Sequence, residues 1–255
     1  MGAAIWSAPE HNMKHFPARS FVEFFRNHGL LSVADRPQWR TIEGGSRHYI
    51  RALSRPFVDR VRVGCGVRLV VRAEDHVRVQ ADDGVHYFDE VVLACHSDQA
   101  LQLIANPTAA EKAILGAIPY QTNAALLHTD TKVLPRRRLA WASWNYHVPA
   151  SPRADVAVTY NLNILQGIRA PETLCLTLNY SEAVDPAKVL QRLSYQHPMY
   201  TPGSMLARRR RGEINGVDRL WFCGAYWGYG FHEDGWISGA DTAAALLASE
   251  LPRAA

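Results

Sequence analysis

Residues 221–240 read WFCGAYWGYGFHEDGWISGA. The apolar run Trp221, Phe222, Cys223 stops at Gly224, and an aromatic turn carrying Gly228 and Gly230 follows. Glu233, Asp234 and Gly235 then precede a helix-forming run that extends to Leu251. Strand, glycine turn and helix N-terminus in this order can hold a phosphate or a flat cofactor ring. The helix end offers unpaired N–H groups and a positive dipole, and glycine lets the backbone approach closely. The helix is expected to begin near Trp236, with Glu233 and Asp234 either favouring its dipole or lying beside a cofactor. Ile237, Ala240, Ala244, Leu247 and Leu251 give it an apolar stripe. His232-Glu233 has no second histidine four residues on, because position 236 is Trp, so a zinc-protease pair is excluded.

Other candidates are weaker. Gly64-Cys65-Gly66 is half of a dinucleotide motif, but position 69 is Leu, and the segment reads as a turn before a strand. The chain contains no GxGxxG, P-loop or GxSxG. Trp141, Trp144, Asn145 and Tyr146 are expected on one strand. Trp144 and Tyr146 would share one face and Trp141 and Asn145 the other, as core or as a lining for a flat cofactor or an apolar substrate. Residues 120–123 (YQTN) and 197–200 (HPMY) are polar groups bracketing that sheet. His128 and His197 read as surface or hydrogen-bonded histidines.

The elements that must position these groups follow from periodicity and punctuation. Ser20 to Glu23 forms a capping-box pattern, Phe21, Phe24 and Phe25 share a helical face, and Gly29 ends that helix. The Gly44-Gly45 turn leads to Ser46, which can cap a helix to Leu53, and Pro56 stops it. Residues 67–72 and 76–80 are strands with a hairpin turn at Asp83-Gly84, and residues 90–95 form a buried strand. Asn106-Pro107 opens a helix to Leu115. Strand-like runs at 124–128, 138–146, 156–162 and 174–179 make an antiparallel sheet, and Asp185-Pro186 opens one more short helix.

Bulk properties set bounds. The 255 residues suit one large domain or two interleaved ones, and 47% apolar with 20% charged residues is ordinary for a globular chain. A formal charge of +4 does not imply nucleic acid. Arginine runs at 136–138 and 208–211 read as solvated edges or as phosphate or lipid-headgroup patches, which allows peripheral membrane contact. Cys65, Cys95, Cys175 and Cys223 form no CxxC and are expected as free thiols in a reducing, cytoplasmic setting. No run is long and apolar enough to span a membrane, and no secretory signal opens the chain. No metal site is expected.

The segments IWSAP, FFRNHGLL, WRTIEGGSRHYI, FDEVVLACHSDQAL, YQTNAALLHTD, LPRRRLAWASWNY, TYNLNILQ, HPMY and CGAYWGYGFHEDGWISGA extend over residues 5–247. Together they resemble the amine-oxidase-like flavoproteins of bacteria, relatives of protoporphyrinogen oxidase and phytoene desaturase. The resemblance implies an α/β fold in which an incomplete, Rossmann-like FAD/NAD(P)-binding domain is interleaved with an antiparallel-sheet substrate domain. It implies residues 1–38 and 106–212 in the substrate domain, and 39–105 and 213–255 in the FAD-binding domain. It implies FAD as cofactor and oxidoreductase chemistry, with hydride transfer from a substrate C–H to flavin N5. Gly224 and Ala225 would meet the pyrophosphate or ribityl chain. Glu233, Asp234, Gly235, Trp236 and Ile237 would lie near the flavin, Val67 near adenine, Ala94 and Cys95 near the pyrophosphate, and Gly44, Gly45 and Ser46 beside the ring. Trp141, Trp144 and Tyr146 are the candidate substrate contacts, and no individual catalytic residue is assigned. The substrate is expected to be a small molecule or lipid, with an unsaturated acyl chain as the leading class. Absence of lysine from the sheet's strands argues against an amine. Such proteins begin with strand, GxGxxG and helix, none of which is present here. A late start codon, a truncated or non-catalytic remnant, or a split flavoprotein whose second chain carries the first half would each account for this.

Overall fold

The computed structural model describes residues 2–6, 13–14, 16–35, 37–38, 40–148 and 155–250. Leu251 of the apolar stripe, Trp39 and residues 7–9 of IWSAP therefore lie outside the described residues. The order is α1 (Gly2–Ile5), α2 (Ala18–Asn27), α3 (Arg47–Ser54), β1 (Val67–Arg72), β2 (Val77–Ala81), β3 (Gly84–Phe88), β4 (Val91–Leu93), α4 (Ser97–Leu103) and α5 (Ala109–Leu115). It continues with β5 (Tyr120–His128), β6 (Trp144–His147), β7 (Ala157–Asn161), α6 (Leu162–Gln166), β8 (Cys175–Leu178), β9 (Val189–Pro198), α7 (Pro202–Arg209), β10 (Leu220–Phe222) and α8 (His232–Glu250). The chain forms two units, each built from two separate stretches: residues 1–61 with 121–197, and residues 62–120 with 198–255.

The first unit carries a five-stranded sheet in the order β6-β7-β8-β5-β9. The β6–β7, β7–β8 and β8–β5 pairs are antiparallel. Helix α2 starts at Ala18 behind Pro17, so Ser20 lies inside the helix, buried, and the expected capping box is not formed. Its aromatic face does pack: Phe24 and Phe25 are buried, and Phe21 stacks on Phe25 at 4.1 Å. Gly29, at φ 64°, closes α2 with Leu30 N–H on Phe25 O and Gly29 N–H on Arg26 O, a Schellman end. Ser46 precedes α3 without a capping hydrogen bond, and Pro56 converts the helix to a 3-10 segment at Arg55–Arg60.

The run 138–146 yields only β6. Residues Arg138–Ala140 make a 3-10 turn whose N–H groups bond locally, and the Trp141 indole donates to Pro135 O at 2.8 Å. Trp141 is thus off the strand. Trp144 and Tyr146 do share the exposed face of β6, while Asn145 is buried opposite. Strand β9 was not expected, because its side chains are mostly exposed and carry no apolar alternation. The expected short helix at Asp185 is one 3-10 turn, Pro186–Lys188, capped by the Asp185 carboxylate. One face of the sheet buries a polar row. Thr159 and Thr177 face each other with their hydroxyls 2.7 Å apart. His128 Nε2 lies 2.7 Å from Thr177 Oγ1, and His147 Nε2 lies 2.8 Å from Thr159 Oγ1. Of the two expectations for His128, surface or hydrogen-bonded, the second holds: the ring is fully buried and bonded at both nitrogens.

The second unit holds an antiparallel meander, β1-β2-β3, and a two-stranded parallel sheet, β10-β4. Alternation builds β2, with Val77 and Val79 buried and Arg78 and Gln80 turned away. Ala81 pairs with Gly84, so the hairpin loop is Asp82-Asp83, one residue earlier than expected. Helix α5 is capped by Thr108, not Asn106: Thr108 Oγ1 accepts Glu111 N–H, and the Glu111 carboxylate accepts Thr108 N–H. Buried Glu111 also pairs with Arg72. Helix α4, absent from the sequence expectation, packs with α5 and the strands around Ile114, Leu115, Leu220 and Phe222. Helix α8 begins at His232 and not at Trp236. Its orientation inverts the expected stripe. Ser238 and Thr242 are buried, whereas Trp236, Ile237 and Leu247 are exposed by 63%, 44% and 64%. The reason is specific: Gly224 N–H donates to Ser238 Oγ, and Arg211 donates to Ser238 O and Thr242 Oγ1, so hydrogen bonds choose the inward face.

Acid should weaken the chain in two windows. Burial holds His128 and His147 below the ordinary value of 6.5, with the charge of Asp130 opposing this at His128. The unfolded chain therefore binds more protons as pH falls below 6.5, and stability complete above that value declines. In the meander, hydrogen bonds from Arg68 and Gly66 lower Asp82, and those from His86 and Cys65 depress Asp83 to about 2. Their contribution is present above 3.8 and lost as pH falls toward 2. Urea midpoints from pH 8 to 2 should fall in these two steps, and His128→Gln should flatten the first.

Candidate functional site

The parallel pair determines which predicted residues meet. Leu220, Trp221 and Phe222 run beside Val91, Val92 and Leu93, and Cys223 N–H donates to Leu93 O at 3.1 Å. Both strands therefore deliver their next residues to one end: Ala94 and Cys95 from β4, Gly224 and Ala225 from β10. Ligands of open parallel sheets bind outside the carboxyl ends of the strands, and this is that end. Helix α4 starts directly after Cys95, and α8 starts beyond the glycine turn.

Around this end lie further polar groups, of which the sequence singled out Cys95, Cys223 and Tyr120 but not the Tyr226 hydroxyl or His96. Tyr226 is buried, its hydroxyl has no hydrogen-bond partner among the described residues, and burial drives its pKa upward. His96 stacks on Tyr120 at 4.5 Å, and its Nδ1 is buried without a partner among the described residues. Ser97 N–H donates to the Tyr120 hydroxyl at 3.0 Å, yet burial still raises that phenol. Burial likewise raises the thiols of Cys95 and Cys223, and both cysteines are free. No sequence signal marks Tyr226 or His96 beyond their place next to the strand ends.

The start of α8 is already served by its own residues. The Asp234 carboxylate accepts Phe231 N–H at 2.9 Å, the task of a third-position acid in a helix cap, and Glu233 shares the first turn. A phosphate placed there would meet two carboxylates. An uncharged ring or sugar suits this end better, and Gly235 with exposed Trp236 and Ile237 borders it. At Gly224 a side chain has no room, since a Cβ would sit 2.5 Å from the Tyr226 ring. At Gly228 a Cβ would run into the Asp234 carboxylate. The orphaned Tyr226 and His96 groups, the cramped glycines and the parallel-strand ends fit a flat, phosphate-bearing cofactor.

The other predicted residues lie elsewhere. Val67 opens β1, 40% exposed, on the meander of the same unit. Gly44 and Gly45, at φ 76° and 85°, and Ser46 form a turn in the first unit, and Trp144 and Tyr146 lie on strand β6 of the same unit. The two polar brackets of the sheet do meet: Asn123 Nδ2 lies 3.0 Å from His197 Nδ1, and Asn179 Nδ2 donates to Asn123 Oδ1 at 2.7 Å. Among the described residues there is no cluster that would hold a metal ion and no helix long and apolar enough to cross a membrane.

The first unit is thus built on an antiparallel sheet, and the second holds a parallel pair that ends in a glycine turn. No family model and no curated relative matches the chain. Solved structures do. A protein from Exiguobacterium sp. 255-15, provisionally assigned as protoporphyrinogen oxidase, is 16% identical over 91% of this chain and 58% of its own, with a TM-score of 0.55. Putrescine oxidase bound to putrescine is 13% identical over 81% of this chain and 53% of its own, TM-score 0.56. Cyclohexylamine oxidase from Brevibacterium oxydans IH-35A is 12% identical over 80% and 53%, TM-score 0.52. The chain spans little more than half the length of these proteins, and at such identities the likeness establishes the fold.

Two substitutions test the packing of this end. Tyr226→Phe removes an unpaired buried hydroxyl and should be neutral or stabilising by about 1 kcal/mol. Gly224→Ala should cost about 1–3 kcal/mol by overpacking against Tyr226. Urea denaturation with an unchanged m-value reads both, and a clear loss from Tyr226→Phe would show that its hydroxyl is paired.

Proposed function

We propose that this chain is part of an FAD-dependent oxidoreductase of amine-oxidase type. The observation that carries the reading is the meeting of Ala94 and Cys95 with Gly224 and Ala225 at the carboxyl end of two parallel strands, in a fold shared with putrescine and cyclohexylamine oxidases. When bound, the flavin supplies a hydride acceptor at N5. The backbone of these four residues would hold the phosphate and ribityl part. Asp234, Gly235, Trp236 and Ile237 would border the ring. Val67 would serve the adenine end, and the Gly44-Gly45-Ser46 turn would sit beside the ring. Trp144 and Tyr146 offer an exposed aromatic face for an apolar substrate. The five strands of that sheet contain no lysine of the kind that serves the flavin side in some amine oxidases, which favours an unsaturated acyl chain or lipid over an amine.

One observation favours a chain that acts with further sequence. Parallel sheets are ordinarily covered on both faces, yet among the described residues the parallel sheet has two strands, Val92 is 42% exposed, and α8 turns Trp236, Ile237 and Leu247 outward. A preceding or separate segment carrying strand, GxGxxG and helix would cover such surfaces. Flavin titration distinguishes the cases. Joined to or co-expressed with such a segment, the protein should retain FAD through gel filtration and show its visible absorbance. Gly224→Val should then weaken binding on the order of tenfold, about 1.4 kcal/mol. Retention by the 255 residues alone would show that they suffice. Absence of flavin in both forms overturns the cofactor reading.

A further inference from the structure

The buried row His128–Thr177–Thr159–His147 runs across β5, β8, β7 and β6, and its protons can be assigned. Asp130 N–H donates to His128 Nδ1 at 3.1 Å. A backbone N–H cannot accept, so neutral His128 must carry its proton on Nε2 and donate it to Thr177 Oγ1, 2.7 Å away. The Thr177 hydroxyl is then free to donate to Thr159 Oγ1 at 2.7 Å, and the Thr159 hydroxyl to His147 Nε2 at 2.8 Å. Every proton in the row is used once. Asp130 is itself held, with Lys132 N–H and Asp185 N–H on its carboxylate and Lys188 Nζ 3.6 Å away, so the inner end of the row does not rotate freely. In that arrangement His147, half-buried at the end of β6 with the Tyr180 ring 5.1 Å away, accepts at Nε2 and carries its hydrogen on Nδ1. No acceptor bonds Nδ1 among the described residues.

We propose that His147 is the ligand-facing end of a tautomer lock, a neutral Nδ1–H donor for a carbonyl or carboxylate oxygen at this edge of the sheet, with Thr159, Thr177 and His128 as its positioning residues. Burial keeps the imidazole below its ordinary pKa and so uncharged at neutral pH. A neutral imidazole polarises or orients an oxygen without bringing a full charge to the site. The lock also forbids the opposite role. With Nε2 committed to accepting from Thr159, Nδ1 has no lone pair with which to take a proton. The assignment is independent of flavin binding.

Long-range ¹H–¹⁵N correlation on histidine-labelled protein tests it directly. His128 should appear as the Nε2–H tautomer and His147 as the Nδ1–H tautomer at pH 7.5. Acetate, at ionic strength balanced with chloride, should shift His147 Nδ1 saturably. Thr159→Val should give His147 a mixture of tautomers and weaken the acetate response by about fivefold, the worth of one hydrogen bond. Thr159→Ser should restore both, which a merely space-filling role would not require. An Nε2–H or mixed tautomer at His147 in the unaltered protein overturns the proposal even if the variants fail to fold. So does an acetate response no different from chloride, or a Thr159→Val protein with unchanged His147 signals.

Discussion

Two short strands whose paired residues lie 129 positions apart hold the candidate site together. Glu90 accepts the Trp221 indole N–H at 2.9 Å, Asp89 O accepts from Arg219, and Val91 N–H donates to Arg219 O. These bonds set the register in which Leu220 meets Val91. A register slip of one residue would turn Phe222, fully buried, to the other face. It would also separate Gly224 from Ala94 and Cys95. Parallel pairing needs a long crossover connection, and here everything from α4 to α7 lies between the strands. The glycine turn is therefore informative only because a distant strand ends beside it.

Much of this was legible in the residues. The valines of β1 and β2, the alternation in β7 and β8 and the strand–glycine–helix order near the C-terminus all carry local signals that tertiary structure respected. What was not legible has a common cause. Strand β9 exposes most of its side chains, so no alternation marks it. The turn at 138–140 satisfies its N–H groups locally, and that competes with an extended strand. Thr108 rather than Asn106 caps α5 because Glu111 stands three residues beyond it. In all three the apolar pattern was silent, and in the last two a local hydrogen bond decided the outcome.

Helix α8 sharpens that point. Its apolar residues predicted which face would turn inward, and the face that does so carries Ser238 and Thr242. Ser238 Oγ receives Gly224 N–H, so the same bond that orients the helix anchors the glycine turn. The helix is placed by the site and not by a greasy stripe. The acids at its start behave similarly. Read from sequence, Glu233 and Asp234 either favour the dipole or border a cofactor. In the structure the Asp234 carboxylate accepts Phe231 N–H, so this acid caps the helix it opens.

The sheet of the first unit follows the same logic in a different form. Asn123, His128, Asp130, Asn145, Thr159, Asn161 and Thr177 are all nearly inaccessible there. Burying so many polar groups is tolerable only if each is bonded, because an unpaired one costs more than a made bond returns. Asn145 accepts Ala142 N–H and donates to Ala142 O and Thr159 O, and Asn161 accepts Ile164 N–H at the start of α6. An apolar sheet of this size would tolerate slippage or repacking. One with a face of paired donors and acceptors loses several of those bonds on any slip, and the Asp130 backbone N–H fixes the orientation of the His128 ring.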